Sequence, residues 1–235
     1  MLHSIIRLND RVMSTENPKR ALYAQFAAVA KALAHANRLE LLELVAQGEG
    51  SVESLAQRCG LSVANASQHL HQLRRAGLVA ARRENKFVFY RLADDTVLAA
   101  LSLLRRVAER NLAEVDHLIR SYFLKRDNLE PITRGELGER MRKGLVTVLD
   151  VRPPEEFRLG HVPGAQNVPL SQLKRVLARL DSKSEVIAYC RGPYCVLAFE
   201  AVAQLRAAGF KARRLEDGFP EWRAAALPVQ TGTAS

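Results

Sequence analysis

Tyr189-Cys190-Arg191-Gly192-Pro193-Tyr194-Cys195 closes the apolar run Val186-Ile187-Ala188, and a helical apolar period starts directly behind it. A strand that delivers a thiol into a short loop, closed by a helix N-terminus, surrounds the sulfur with backbone N–H groups and a positive dipole. That setting favours thiolate over thiol and stabilises an anion carried on the sulfur. Around this loop, strands at 146–151, 185–189 and 211–215 alternate with helices at 171–180 and 196–208, with a turn at Gly218. Thr133 and Glu136 cap a further helix through Met141. The alternation predicts a parallel sheet covered by helices on both faces, an α/β domain over residues 132–230 with a tail at 231–235.

The N-terminal half reads differently. Residues 1–17 form a loose leader. From Pro18 an amphipathic helical pattern runs through Phe26, Val29, Leu33, Leu39, Leu42 and Val45, with a break near His35-Ala36-Asn37, and ends at Gly48-Glu49-Gly50. Ser51 caps a short helix stopped at Cys59-Gly60, and Ser62 caps another that ends at Gly77. In the latter, Ala66, Leu70 and Leu73 share one face. The runs 78–82 and 87–92, separated by Glu84-Asn85-Lys86, predict a hairpin with a basic tip. Asp94-Asp95 opens a helix expected to reach Phe123. Its positions Val97, Leu101, Leu104, Ala108, Asn111, Val115, Leu118 and Tyr122 follow a heptad seam, which predicts a homodimer with Asn111 setting register. The polar segment 125–131 is the expected linker between a mainly α domain, 18–124, and the α/β domain.

The chain has 235 residues and a formal charge of +10. Residues 1–126 hold 19 Lys/Arg against 12 Asp/Glu, so most of the excess lies in the first half, as in a protein that binds a polyanion. Three cysteines are too few for a disulfide scaffold and suit a reducing cytoplasm. No signal-peptide pattern or membrane-length apolar run is present, and no membrane partner is expected.

A helix pair followed by a basic hairpin is a winged helix-turn-helix, whose second helix enters a major groove. With Ala66, Leu70 and Leu73 inward, Ala64, Gln68, His71, Gln72 and Arg75 face outward, flanked by Asn65 and Ser67. Amide side chains suit paired bonds to adenine, and a small alanine admits a thymine methyl. Arg82, Arg83 and Lys86 on the wing suit phosphate contact. The expected partner is double-stranded operator DNA.

Two resemblances follow from these residues. The run 37–42, then Leu55-Ala56, Gly60-Leu61-Ser62, Ser67-Gln68-His69-Leu70 and Leu73 to Val79, resembles the ArsR/SmtB repressors over about residues 18–123. That implies a homodimer which binds an operator and releases it on sensing a ligand. The metal-sensing residues common in that family have no counterpart here: Cys59 stands alone, Asp116 and His117 point apart, and no metal or other cofactor is expected. Asp150-Val151-Arg152, Glu156-Phe157, the segment 160–169 and Gly218-Phe219-Pro220-Glu221-Trp222 resemble a rhodanese domain over about 130–230. The resemblance implies that Cys190 attacks a sulfane donor and carries the sulfur as a persulfide to an acceptor, so a sulfane sulfur donor or small thiol is an expected partner. Asp150 and Arg152 are expected to orient the loop and neutralise charge, with Arg152, Arg158 and Arg191 drawing an anionic donor. The six-residue loop suits sulfur rather than phosphoryl chemistry. Cys195 stands where many sulfurtransferases have a cation. It either resolves a Cys190 persulfide, pairs with Cys190 around a soft ion, or packs as a small buried group. Together these readings imply a repressor responsive to sulfane sulfur or thiol redox state. The alternative is a sulfurtransferase tethered to DNA, and a third reading makes the second domain a docking surface.

Overall fold

The structure, a computed structural model, describes residues 17–124, 131–181 and 184–232. Most of the expected leader, the linker up to residue 130, and the tail from 233 lie outside the described residues.

In the first half, α1 (Pro18–Leu33) starts at Asn17, whose side chain accepts from the Lys19 N–H. It ends at Ala34, and α2 (Ala36–Gln47) restarts after His35, which caps it through Nδ1. The strand β1 (Gly50–Ser51) leads into α3 (Val52–Arg58) and α4 (Val63–Arg75), capped by Ser51 and Ser62 as the sequence predicts. The hairpin is β2 (Val79–Glu84) and β3 (Phe87–Leu92), turning at Asn85, whose φ of 53° asparagine tolerates. An antiparallel sheet in the order β1-β3-β2 results. Leu41, Leu42, Leu55, Ala66, Leu70 and Leu73 are fully buried between α2, α3 and α4.

The long C-terminal helix of this half is not continuous. Helix α5 (Asp95–Asn111) stops at Leu112, whose backbone is extended, and α6 (Ala113–Leu118) runs into a π-helical turn, Ile119–Leu124. The Asn111 side chain donates to the Val107 carbonyl at 2.8 Å, competing with the helix's own ladder. The break turns Phe123 toward the second half, where its ring meets Tyr194 and Phe199 at 5.3 and 4.9 Å.

In the second half, α7 (Arg134–Arg142) precedes β4 (Val146–Asp150), α8 (Pro154–Leu159), β5 (Gln166–Asn167) and α9 (Leu170–Val176). Then come β6 (Glu185–Tyr189), α10 (Val196–Ala207), β7 (Ala212–Arg214) and α11 (Phe219–Ala224). All strand pairs are parallel, in the order β5-β4-β6-β7. One face packs on α9 and α10, the other on α7, α8 and α11, so β6 is buried along its whole length. The short elements α8, β5 and α11 escaped the sequence reading because six residues or fewer carry little periodicity. No helix of the described residues is long and apolar enough to cross a membrane.

Candidate functional site

The end of β6 and the start of α10 place Cys190 and Cys195 side by side, both as free thiols. The thiols hydrogen-bond to each other. The loop is pinned from behind: the Phe219 N–H donates to the Cys190 carbonyl at 3.0 Å. A Cβ on Gly218 would lie 2.3 Å from the Arg191 carbonyl group, so only glycine permits that approach. Burial, and then the neighbouring sulfur, push the Cys190 thiol well above its ordinary value. The Cys195 thiol is lowered, first by the hydrogen bond from Cys190 and further by backbone N–H groups of Arg191 and Leu197. Both directions place the more favourable setting for a thiolate at Cys195, at the helix N-terminus where backbone N–H groups converge.

The arginines also depart from expectation. Arg152 is fully buried: Nε and Nη2 bind the Asp150 carboxylate, Nη2 also reaches the Gly160 carbonyl at 2.7 Å, and Nη1 reaches Gln47 Oε1 at 3.1 Å. Arg191 makes a bidentate pair with Glu156, and Glu156 Oε1 also accepts from Arg58 at 2.6 Å. Arg152 and Arg191 therefore hold structure rather than wait for an anion. Of the three arginines expected to draw a donor, Arg158 is the exposed one.

The sulfur loop is docked against the helix-turn-helix half. Gln47, buried at the end of α2, donates from Nε2 to the Arg191 carbonyl at 3.3 Å while its Oε1 takes Arg152. Tyr194 donates to Glu109 of α5 at 2.7 Å, Arg223 donates to the Ala46 carbonyl at 2.8 Å, and Arg58 crosses to Glu156. At Gly48 a Cβ would stand 2.7 Å from Leu159 Cδ1, the end of an exposed side chain of the other half, so the two halves come close there as well. Sequence reasoning missed Gln47, Glu156 and Glu109, since each acts through a partner far along the chain.

On α4, Ala66, Leu70 and Leu73 do face inward, and Ala64, Asn65, Gln68, His71, Gln72 and Arg75 are exposed, with Ser67 half-buried. Gln72 is partly engaged, accepting from buried Arg38 at 2.6 Å. Arg83 and Lys86 are exposed on the wing. Arg82 is instead paired with Glu49 at 2.6 Å and with Glu84.

The heptad positions lie on a helix that breaks at Leu112 instead of running on to Phe123. Val97 is buried in its own domain and Leu101 packs against that core, while Leu104, Leu118 and Tyr122 are exposed. Ala108 and Val115 are half-buried, and Asn111 is exposed and bonded within its own helix. A more continuous apolar surface lies on α1, where Leu22, Tyr23, Phe26 and Val29 are all exposed.

Residues 33–82 match a helix-turn-helix domain family and residues 133–225 the rhodanese-like domain family. The HTH-type transcriptional regulator Rv0324 of Mycobacterium tuberculosis is 44% identical over 214 residues, covering 91% of this chain and 94% of that protein. The transcriptional activator HlyU of Vibrio cholerae is 42% identical over 84 residues, 36% of this chain and 78% of its own. Among solved structures, the homodimeric winged helix-turn-helix DNA-binding domain of Mb0332 from Mycobacterium bovis, a possible ArsR-family regulator, is 40% identical. It covers 44% of this chain and 95% of its own, with a TM-score of 0.39. A DNA-binding transcriptional regulator is the class that these findings define. The chain belongs to the ArsR-type helix-turn-helix regulators, with a rhodanese-like domain behind the DNA-binding half.

Proposed function

We propose that this regulator binds operator DNA as a homodimer and that sulfane sulfur arriving at Cys190 and Cys195 changes its affinity. In this reading α4 enters the major groove with Ala64, Asn65, Ser67, Gln68, His71, Gln72 and Arg75, and Arg83 and Lys86 hold phosphates while Arg82 braces the wing. The second protomer covers the apolar faces of α1 and α5, because four large exposed side chains on one helix form the kind of patch that marks an interface. The domains are residues 18–124 and 132–230.

The chemistry uses both thiols. The Cys195 thiolate accepts the Cys190 proton as Cys190 attacks the outer sulfur of a persulfide donor. The donor's S–S bond breaks, and its thiolate leaves as a thiol with that proton. Cys195, a thiolate again, attacks Cys190 Sγ and expels hydrosulfide, closing a disulfide without an external oxidant. Because the bridge forms beside the Arg191 carbonyl, it strains the bond from Gln47 and alters how the halves dock.

The observation that carries this reading is the placement of the thiol pair in a loop that the DNA-binding half itself holds. Steady sulfurtransferase turnover is the less favoured reading, since the loop's cation is bound to Glu156 and one loop face is covered by α2. Polysulfide treatment followed by peptide mass spectrometry tests the chemistry. A Cys190–Cys195 linkage with released hydrosulfide is expected, and unmodified thiols, or sulfur on Cys59 alone, would contradict it.

A further inference from the structure

Between the two halves lies a cavity of about 310 Å³, large enough for a small organic ligand. Its floor is the apolar side of α2 and α5, with Leu39, Leu98, Leu101 and Ala108, and its roof is Arg191 to Tyr194, the residues that separate the two cysteines. Two carboxylates face it, Glu43 from α2 and Glu221 from α11. Arg105 serves Glu221 at 3.6 Å and Glu109 at 3.9 Å, and Arg191 is already committed to Glu156. The Glu43 carbonyl accepts from Gln47 Nε2, but its carboxylate has no hydrogen-bond or ion-pair partner among the described residues, and Oε1 lies 3.3 Å from where a Cβ on Gly192 would stand.

A carboxylate without a side-chain partner, open to the cavity and placed against the sulfur loop, favours a cation over an anion once the arginines that line the cavity are engaged with Glu156, Glu221 and Glu109. We propose that this cavity is the seat of the small-molecule sulfur carrier, and that it takes an amine-bearing thiol or its persulfide, the ammonium group on Glu43, rather than thiosulfate or another anionic donor. The ligand touches α2, α5 and the loop at once, so it also bears on how the halves dock. Burial, only partly offset by Arg191, raises the Glu43 carboxyl above its ordinary value, as expected of an acid that lacks its cation.

This inference rests on the sulfur-responsive reading, and one pair of measurements separates the two. Calorimetric titration of the reduced full-length protein at pH 7 uses cysteamine and 3-mercaptopropionate as probes. Cysteamine is expected to bind at least tenfold more tightly. Glu43→Gln should lower cysteamine affinity at least tenfold and leave 3-mercaptopropionate unchanged, and Ala108→Phe, which fills the cavity, should abolish cysteamine binding. Equal binding of the two probes, or a Glu43→Gln variant indistinguishable from wild type, would overturn the proposal. Sulfur loading of Cys190 from the two thiols' persulfides is then followed by mass spectrometry. Selective binding with neither a Cys190 persulfide nor a Cys190–Cys195 disulfide formed contradicts the sulfur-responsive reading and leaves the pocket standing. Loading at equal rates from both persulfides contradicts the pocket and leaves that reading standing.

Discussion

Cys195 is the residue at which this loop departs most from a simple sulfur carrier. It stands at the N-terminus of α10, accepts the hydrogen bond from Cys190 and is the more acidic of the two. Iodoacetamide at neutral pH should therefore label Cys195 before Cys190. Peptide mass spectrometry gives the order, and faster labelling of buried Cys190 would refute the assignment of Cys195 as the resting thiolate. At Glu43 the sign of a pH effect can be worked out. Its folded-state value is raised above the ordinary 4.5, so the native state holds more protons than the unfolded chain just above pH 4.5. Ionised Glu43 consequently costs stability as pH rises through that window. Glu43→Gln should melt higher than wild type at pH 7, with the gain vanishing below about pH 4.5; a difference independent of pH would contradict the assignment. On α4, Gln68→Ala should cost roughly 1–3 kcal/mol of discrimination at one base pair if that amide reads adenine. Binding across a set of operator variants checks this. The cysteines were legible in the sequence because strand, loop and helix are contiguous. Gln47 was not, since its partners lie 105 and 144 residues further on and nothing local marks it.

Helices were legible wherever a cap and an apolar stripe coincided, as at Ser51, Ser62 and Thr133. At Val97 and Leu101 the heptad period has a use within the chain itself. Periodicity reports which residues are apolar but not which surface covers them, and here Val97 and Leu101 serve their own core while α1 holds a wider exposed face. The break at Leu112 left no trace in the apolar period: Asn111 beside it bonds back to the Val107 carbonyl, and beyond it Phe123 meets Tyr194 and Phe199 of the other half. If α1 forms the dimer contact, a charge at its centre should separate the protomers. Phe26→Glu is expected to run as a monomer in light scattering and to lose roughly 100-fold in operator affinity, as expected when two linked half-site contacts become one. A dimer of unchanged affinity would move the interface elsewhere.

Across the whole molecule, the two halves are joined by polar contacts that leave few spare partners. Glu156 is fully buried beneath Arg58 of one half and Arg191 of the other. Glu156→Gln removes the shared anion and should cost on the order of 3 kcal/mol, since both arginines lose their counter-charge in a poorly solvated place. Thermal unfolding checks it, and a negligible change would mean that the docked arrangement contributes little to stability. Gln47 has a different part, as its amide joins the sulfur loop and the Asp150–Arg152 pair to the helix that packs on α4. The central claim is that the sulfur state of the loop reaches DNA along this connection. It is tested most directly by fluorescence anisotropy on DNA from the chain's own upstream region, before and after polysulfide treatment, for wild type, Cys190→Ser and Gln47→Leu. The account predicts a shift of at least tenfold in wild type, none in Cys190→Ser, and a much smaller one in Gln47→Leu although its cysteines still take up sulfur. An unchanged wild-type affinity with the Cys190–Cys195 bridge or a Cys190 persulfide formed, or a full shift in Gln47→Leu, would contradict it.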